Sequence, residues 1–497
     1  MDPGEGRHPV LILGRPATWG RLQHPGNAVN YEVRTQPMEV YVDWNRRLYS
    51  WMLRRLLLPV GDAVFQQSLI RRLRFLEDAQ WWSREALCGA RDAKLMELVH
   101  IAYHEVPFYR RLFDANKVGW DAIRRPADLR KLPIVTKAMI RPAYPKDITR
   151  PTPYRTHEES SSGSTGAPFY VLEDAETASF RRAAFILSLS WAGWSMGQPH
   201  LQTGVMLNRD SERKLKDFFM RCHYVSAIEL DDDSLDETLD LLERKKVRHL
   251  WGYPCGIYSL AVRAKARGWN ARIDSVVTWG DNLYPLYRRE IESVFKARVY
   301  DTYGCSEGMQ IAAQCGNGTS YHVHMLDTIV ELVDDRGNPV EPGTPGNVVL
   351  TRLHPGAMPL IRYAVGDIAV GAGDRQCPCG RGFELLESIE GRDSDFVASP
   401  SGKRYVVHFF ALVIEHYPQV QQYQVVQNSA DSIVIRLVTD SGRADFAPAM
   451  VKDFRNHGLT DMKIEIVPVS HIPSSPSGKR RFVMNEATKL RPSVVGA

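Results

Sequence analysis

Residues 159 to 168 read Glu-Ser-Ser-Ser-Gly-Ser-Thr-Gly-Ala-Pro. This run leaves little side chain to pack but many hydrogen-bond donors close to the backbone. Gly163 and Gly166 let the chain reach positive φ and let main-chain N–H groups close on a ligand. The hydroxyls of Ser161, Ser162, Ser164 and Thr165 add donors suited to anionic oxygens. Such a loop suits a phosphate, although the same composition also makes flexible linkers.

A second run, Asp301-Thr302-Tyr303-Gly304-Cys305-Ser306-Glu307-Gly308, follows the β-rich stretch 297–300. It places an aromatic face, a hydroxyl and a carboxylate close together. Arg362-Tyr363-Ala364-Val365-Gly366-Asp367 reads as a β-turn when taken alone, and Gly391-Arg392 and Pro476-Ser477-Gly478-Lys479 come later. In this order and spacing the motifs resemble the ATP-binding and catalytic motifs of the adenylate-forming superfamily. That superfamily holds acyl-CoA synthetases, luciferases and peptide-synthetase adenylation domains.

Other segments narrow the resemblance to the phenylacetate-CoA ligase branch. They are Trp82-Ser83-Arg84-Glu85 through Pro107-Phe108-Tyr109-Arg110-Arg111, and Leu132-Pro133-Ile134-Val135-Thr136-Lys137. Phe169, after Pro168, stands where the wider superfamily carries lysine. Tyr321-His322-Val323-His324 and Cys377-Pro378-Cys379-Gly380-Arg381 also fit that branch. Gly391-Arg392-Asp393-Ser394-Asp395, running into Ser399-Pro400-Ser401-Gly402, is similar to its subgroup linked to capsule biosynthesis and coenzyme F390 synthesis. The similarity spans roughly residues 50 to 490.

The resemblance implies an ATP-dependent ligase that joins a carboxylic acid to AMP, releases pyrophosphate and passes the acyl group to an acceptor. By residue, it implies that Ser161, Ser162, Gly163, Ser164, Thr165 and Gly166 cradle the β- and γ-phosphates. Tyr303 and Gly304 would meet the adenine, with Gly280 and Asp281 beside it. Ser306 would touch the α-phosphate and Glu307 would hold Mg²⁺. Asp367 would bind the ribose, Arg392 would add a second ribose or phosphate contact, and Lys479 would offset charge as carboxylate and α-phosphate meet. Trp251, Tyr253 and Trp279 are candidates for an acyl pocket, and aromatics there are equally suited to a core.

The acceptor is where the pattern departs. Ligases of this branch carry an Arg-Gly-x-Asn-Val-Phe-Pro run along the pantetheine channel, and here Ser399-Pro400-Ser401-Gly402-Lys403-Arg404-Tyr405-Val406 keeps only the glycine. CoA therefore stands beside an amine, a hydroxyl, or transfer of AMP itself as in F390 synthesis. A catalytically silent binding protein of the same fold is the other class, and intact Glu307, Asp367 and Lys479 speak against it.

Cys315, Cys377, Cys379 and one of His322 or His324 form a donor set suited to structural Zn²⁺. Thiols also fill space in cores, but a polar Cys-Pro-Cys-Gly-Arg turn is a poor place for inert cysteines. The resemblance adds that some members of the branch carry zinc there.

These residues need a large scaffold. At 497 residues, 44% of them apolar, the chain exceeds one hydrophobic core. The expected fold is α/β: a large multi-layer adenylation domain of β-sheets flanked by helices, with a small α+β C-terminal domain. Residues 1–80 are assigned to an arm and helical extension, 81–391 to the adenylation core, and 392–497 to a mobile domain hinged near 392–395. Residues 1–40 read as poorly structured or loosely docked. The basic amphipathic residues 41–78 suit a membrane surface, but such helices more often pack on their own domain. Within the core, strand 276–279 and helix 286–295 are expected, and Pro107 should stop the helix before it. In the C-terminal part the expected order is helix 405–416, strands 422–427 and 432–438, helix 445–457 and strand 462–467.

The net charge of +5 is dispersed and gives no nucleic-acid footprint. No apolar run is long enough to span a bilayer. The seven cysteines, without a signal-peptide pattern at Met1-Asp2-Pro3-Gly4-Glu5, lead to an expectation of the cytoplasm. The chain would act as a monomer or homodimer.

Overall fold

The computed structural model describes residues 44–64, 67–161, 169–204, 209–227, 231–392, 396–401, 404–414, 416–440, 442–472 and 482–485. The expected N-terminal arm lies outside them. Asn45–Ala497 forms one compact unit.

The strands are β1 (Thr156–Ser161), β2 (Phe169–Asp174), β3 (His200–Gly204), β4 (Cys222–Ser226), β5 (His249–Gly252), β6 (Ser275–Thr278) and β7 (Val299–Cys305). They continue with β8 (Met309–Gln314), β9 (Tyr321–Val323), β10 (Thr328–Val333), β11 (Pro345–Arg352), β12 (Tyr363–Gly371) and β13 (Leu385–Arg392). From β3 onward these strands form one eleven-stranded sheet, ordered β10-β11-β12-β13-β9-β8-β7-β6-β5-β3-β4. The half from β4 to β7 is parallel, and the half from β7 to β10 is antiparallel. β7 belongs to both halves.

The parallel half follows from its sequence. β5 (His-Leu-Trp-Gly) and β6 (Ser-Val-Val-Thr) are buried at every position, as a sheet covered on both faces requires. Helices Ser211–Met220, Asp232–Arg244, Pro254–Ala266 and Pro285–Phe295 are the connections between its strands. Asp210 and Asp231 cap the first two, and proline opens the other two. The carboxyl ends of β5, β6 and β7 run into Tyr253, Trp279-Gly280-Asp281 and Ser306-Glu307. Open parallel sheets bind ligands at that edge.

Pro107 ends the helix Arg84–Glu105 as expected, and it also opens the next one, Pro107–Ala115. A first-turn N–H has no helical partner to lose, so proline is tolerated there.

After β13 come β14 (Phe396–Ala398), β15 (Arg404–Val406), helix Val407–Ile414, β16 (Val420–Ser429), β17 (Ser432–Thr439), helix Ala447–Asn456, β18 (Lys463–Pro468) and β19 (Val483–Asn485). The last four strands form a second sheet, ordered β18-β17-β16-β19. Both helices and the strands β16, β17 and β18 fall near their expected places, but 404–406 pairs as β15 instead of opening the helix, and β14, β15 and β19 are additional to the expected elements. Their apolar core is continuous with the parallel half of the large sheet. Phe482 packs on Tyr284 and Tyr423 with ring centroids 3.9 and 5.1 Å apart.

Candidate active site

The turn Ser306–Gly308 joins β7 to β8. Register between these strands shifts at Tyr303 and Gly304, a bulge that re-aims the end of a strand. A Cβ on Gly304 would lie 2.9 Å from the Met309 carbonyl oxygen, so the bulge needs glycine. The guanidinium of buried Arg352 donates to the Glu307 carbonyl at 3.2 Å and also to the Met358 carbonyl. The turn is therefore held from beneath.

Glu307 is 2% exposed. The Tyr363 hydroxyl donates to its carboxylate at 2.7 Å, and the Lys137 ammonium lies 3.0 Å from the same oxygen. Burial raises the carboxyl's pKa, but Lys137 and Tyr363 together outweigh it and hold the group below its ordinary value. The Ser306 hydroxyl donates to the other carboxylate oxygen at 3.4 Å.

Lys137 reaches the site because residues 132–137 run beside β12. Val135 forms a parallel bridge to Tyr363, with hydrogen bonds of 2.8 Å to the Arg362 carbonyl and 2.9 Å from the Ala364 N–H. Thr136 then caps a short helix that begins at Lys137. The Lys137 ammonium also lies 5.4 Å from the centre of the Phe169 ring, which stacks on Tyr363.

Beyond this carboxylate lie the residues expected to hold a nucleoside. The Tyr303 hydroxyl donates to Asp367 at 2.8 Å. Asp367 faces Arg392 across the β12–β13 ladder, although the Arg392 side chain lies outside the described set. A Cβ on Gly391 would come 2.6 Å from the side-chain amide of Asn282, and one on Gly280 would come 2.8 Å from the Tyr253 ring. These approaches gather Tyr253, Gly280, Asp281 and Gly391 at one edge of the sheet. Trp279 is half-buried, edge-on to Phe185 at 5.5 Å. Trp251 is buried, stacked on His200 at 3.7 Å and edge-on to Trp194, with no indole N–H partner among the described residues.

Ser161 ends β1 opposite Phe169 at the start of β2, so the hairpin fixes both ends of the Ser/Gly loop. Ser162, Gly163, Ser164, Thr165 and Gly166 lie outside the described residues, as do Lys479 and the hinge residues Asp393–Asp395. The hairpin itself is clamped. Arg181 makes two hydrogen bonds to buried Glu173, at 2.9 and 2.7 Å, and His157 lies 3.1 Å from Glu173 and 3.3 Å from Glu159.

Cys315, His322, Cys377 and Cys379 bring one donor atom each within 4.8 Å of one another. The Cys315 and Cys377 sulfurs are 3.6 Å apart, and Cys379 Sγ lies 3.4 Å from His322 Nε2. Tetrahedral zinc with Zn–S bonds of about 2.3 Å separates its sulfurs by about 3.8 Å. The donor set fits that ion. The structure also separates the two imidazoles: His324 Nε2 pairs with the Ser188 hydroxyl at 2.9 Å and its ring stacks on Trp191.

Residues 397–486 match the model of the CapK C-terminal domain family. Phenylacetate-coenzyme A ligase of Thermus thermophilus is 24% identical over 441 residues, covering 81% of this chain and 97% of that protein. Protein CapK of Staphylococcus aureus is 23% identical over 444 residues, covering 87% and 97%. A crystal structure of 2-hydroxyisobutyryl-CoA ligase in the postadenylation state shares the fold, with a TM-score of 0.68 at 19% identity over 82% of this chain and 93% of that one. The chain resembles the adenylate-forming ligases in sequence and shares their fold.

Its similarity runs to phenylacetate-CoA ligases and to CapK, the branch and subgroup that the motifs at 132–137, 377–381 and 391–402 resemble. Motif reading gave no role to Lys137, Tyr363 or Phe169. The available signal was a missing charge: Phe169 stands where the wider adenylate-forming superfamily carries lysine. The cation over that ring comes instead from Lys137, 32 positions earlier.

Proposed function

We propose that this AMP-forming ligase activates a carboxylic acid with ATP and transfers the acyl group to the thiol of CoA. A carboxylate oxygen attacks the α-phosphorus and pyrophosphate leaves, giving the acyl-adenylate. The acceptor thiol then attacks the acyl carbonyl, AMP leaves and the thiol proton is released. The observation that carries the reading is Glu307, buried at the junction of the parallel and antiparallel halves and kept ionised by Lys137 and Tyr363. A carboxylate so held suits Mg²⁺, which would neutralise triphosphate charge when bound.

The remaining roles are read onto positions in this chain. The loop from Ser161 to Gly166 holds phosphates and Ser306 meets the α-phosphate. Tyr303, Gly304, Gly280 and Asp281 hold the adenine, while Asp367 and Arg392 hold the ribose. Trp279 and Tyr253, with the Trp251 indole behind them, border the acid. Lys479 offsets the charge of the two reacting anions, and catalysis is mostly positioning and electrostatics. Cys315, His322, Cys377 and Cys379 hold a structural Zn²⁺ that fastens the end of β8 to β9 and to the turn before β13. Residues 392–497 move as a unit about 392–395.

A CoA acceptor is supported by relatives named phenylacetate-coenzyme A ligase and by a 2-hydroxyisobutyryl-CoA ligase structure described with acyl-AMP and CoA. One observation favours a second reading, transfer to an amine or hydroxyl: the CapK C-terminal match covers the segment where the CoA-channel run is absent. ATP–pyrophosphate exchange over a panel of acids tests adenylation, and product formation with CoA or amines tests the acceptor. Absence of acid-dependent exchange across an aryl, branched and hydroxy-acid panel would remove the first proposal, and thioester formation would remove the second reading.

A further inference from the structure

Among the described residues, fourteen large apolar side chains are exposed, and eight belong to two neighbouring elements. Leu48, Trp51, Leu56, Leu57, Val60 and Val64 lie along the helical run 44–64, and Leu215 and Phe218 lie on the helix Ser211–Met220. Leu56, Val60 and Val64 recur at intervals of four, so adjacent members of the row are neighbours on the helix surface. The segment Leu58–Val64 has no buried residue, and Leu53–Leu57 buries only Leu53. The Tyr49 hydroxyl ties the two elements together, donating to the Phe219 carbonyl at 2.7 Å while Arg221 covers the Tyr49 ring.

Charge along the run 44–64 is mainly basic. The run 44–64 contains four arginines and one acid, Asp62. Asp62 accepts the Ile70 N–H at 2.9 Å, and Arg54 pairs with Glu77. Arg55, Arg74 and Arg213 are exposed, and the side chain of Arg71 is 70% exposed. Arg71 and Arg74 line a cavity of about 570 Å³ with Pro59, Asp62 and Tyr154. The other acid there, Glu176, is paired with Arg72, lies 3.6 Å from the exposed Arg71 guanidinium and accepts the Ser68 hydroxyl.

We propose that this face docks on an anionic lipid surface, with the apolar side chains at the headgroup–acyl boundary and Arg71 and Arg74 at a phosphate-bearing headgroup. An amphipathic helix with arginine beside an exposed apolar stripe and a tryptophan on it has the composition of an interfacial helix. No described helix is long and apolar enough to cross a membrane, so the contact lies on the surface. A second copy fits less well, because a two-fold interface sets a patch against itself and would oppose the arginines.

The test is co-sedimentation of the full chain with vesicles of phosphatidylcholine alone and of phosphatidylcholine with phosphatidylglycerol. Binding should require phosphatidylglycerol and weaken as salt rises. Leu56→Glu with Val60→Glu should abolish it. Arg71→Ala with Arg74→Ala should weaken it on the order of thirtyfold, from about 1 kcal/mol per charge. Unchanged circular dichroism would show that the variants fold. If the glutamate pair misfolds, the exposed arginine pair carries the test. Equal binding to both vesicle types, or to neither, would overturn the proposal. So would a dimer in light scattering that Val60→Glu converts to a monomer.

Discussion

The Lys137 ammonium lies 3.0 Å from the Glu307 carboxylate, although 170 positions separate them in sequence. Phe169 lies under the same ammonium, at a position where the wider superfamily has its own lysine. Lys137→Ala should therefore lower pyrophosphate exchange on the order of a hundredfold. Loss of the neighbouring cation also lets burial raise the Glu307 pKa, so the acid limb of the pH–rate profile should move to higher pH. Lys137→Arg should restore part of both. An unshifted profile in Lys137→Ala would show that the pair does not set the charge state of Glu307.

The clamp on the β1–β2 hairpin gives a second pH dependence. Hydrogen bonds to Glu159 and Glu173 raise the His157 pKa to about 9. Glu173 is pulled down to about 2, because His157 and Arg181 outweigh its burial. The His157 contribution is complete below the ordinary imidazole value of 6.5 and is lost as pH rises through about 9. The Glu173 contribution is complete above 4.5 and is lost as pH falls through about 2. The hairpin should thus be held best between these ordinary values. His157 is 42% exposed, so solvent screening keeps its share modest. The KM for ATP should rise between pH 6.5 and 9 in the natural chain and stay flatter in His157→Gln. Parallel curves would mean that the clamp does not act on the loop.

If the cluster of Cys315, His322, Cys377 and Cys379 holds zinc as proposed, elemental analysis should find about one zinc per chain. His322→Ala or Cys377→Ser should release it and lower the melting temperature, whereas His324→Ala should retain it, since that ring is engaged with Ser188. A closed donor set implies a structural ion, so pyrophosphate exchange should fall only where folding does. Fully folded, metal-free protein would dispose of the centre.

Lys479 provides the sharpest test of adenylation itself. Lys479→Ala should preserve folding and ATP binding while acid-dependent exchange drops on the order of a hundredfold, about 3 kcal/mol of transition-state contact. Near-normal exchange would remove the lysine from the mechanism.

Element types and the family resemblance are carried by local stretches of residues. The buried runs Leu250-Trp251 and Val276-Val277, the proline and aspartate helix starts, and the order of the C-terminal elements are local properties of the chain, and all are legible. The motifs at 301–308 and 362–367 were legible because glycine is needed where a bulge leaves no room for Cβ, as at Gly304, or where φ is positive, as at Gly366 (φ 84°). Only the tertiary structure decided which side chains meet. Lys137 joins Glu307 because Val135 lies beside β12, and Arg392 faces Asp367 through the β12–β13 register. His322 rather than His324 completes the thiol cluster. The two histidines are two apart on a chain whose side chains alternate, so both can point to one side, and position along the ladder separates them. Strand pairing is set by packing across the whole sheet, and no local pattern of residues carries that information.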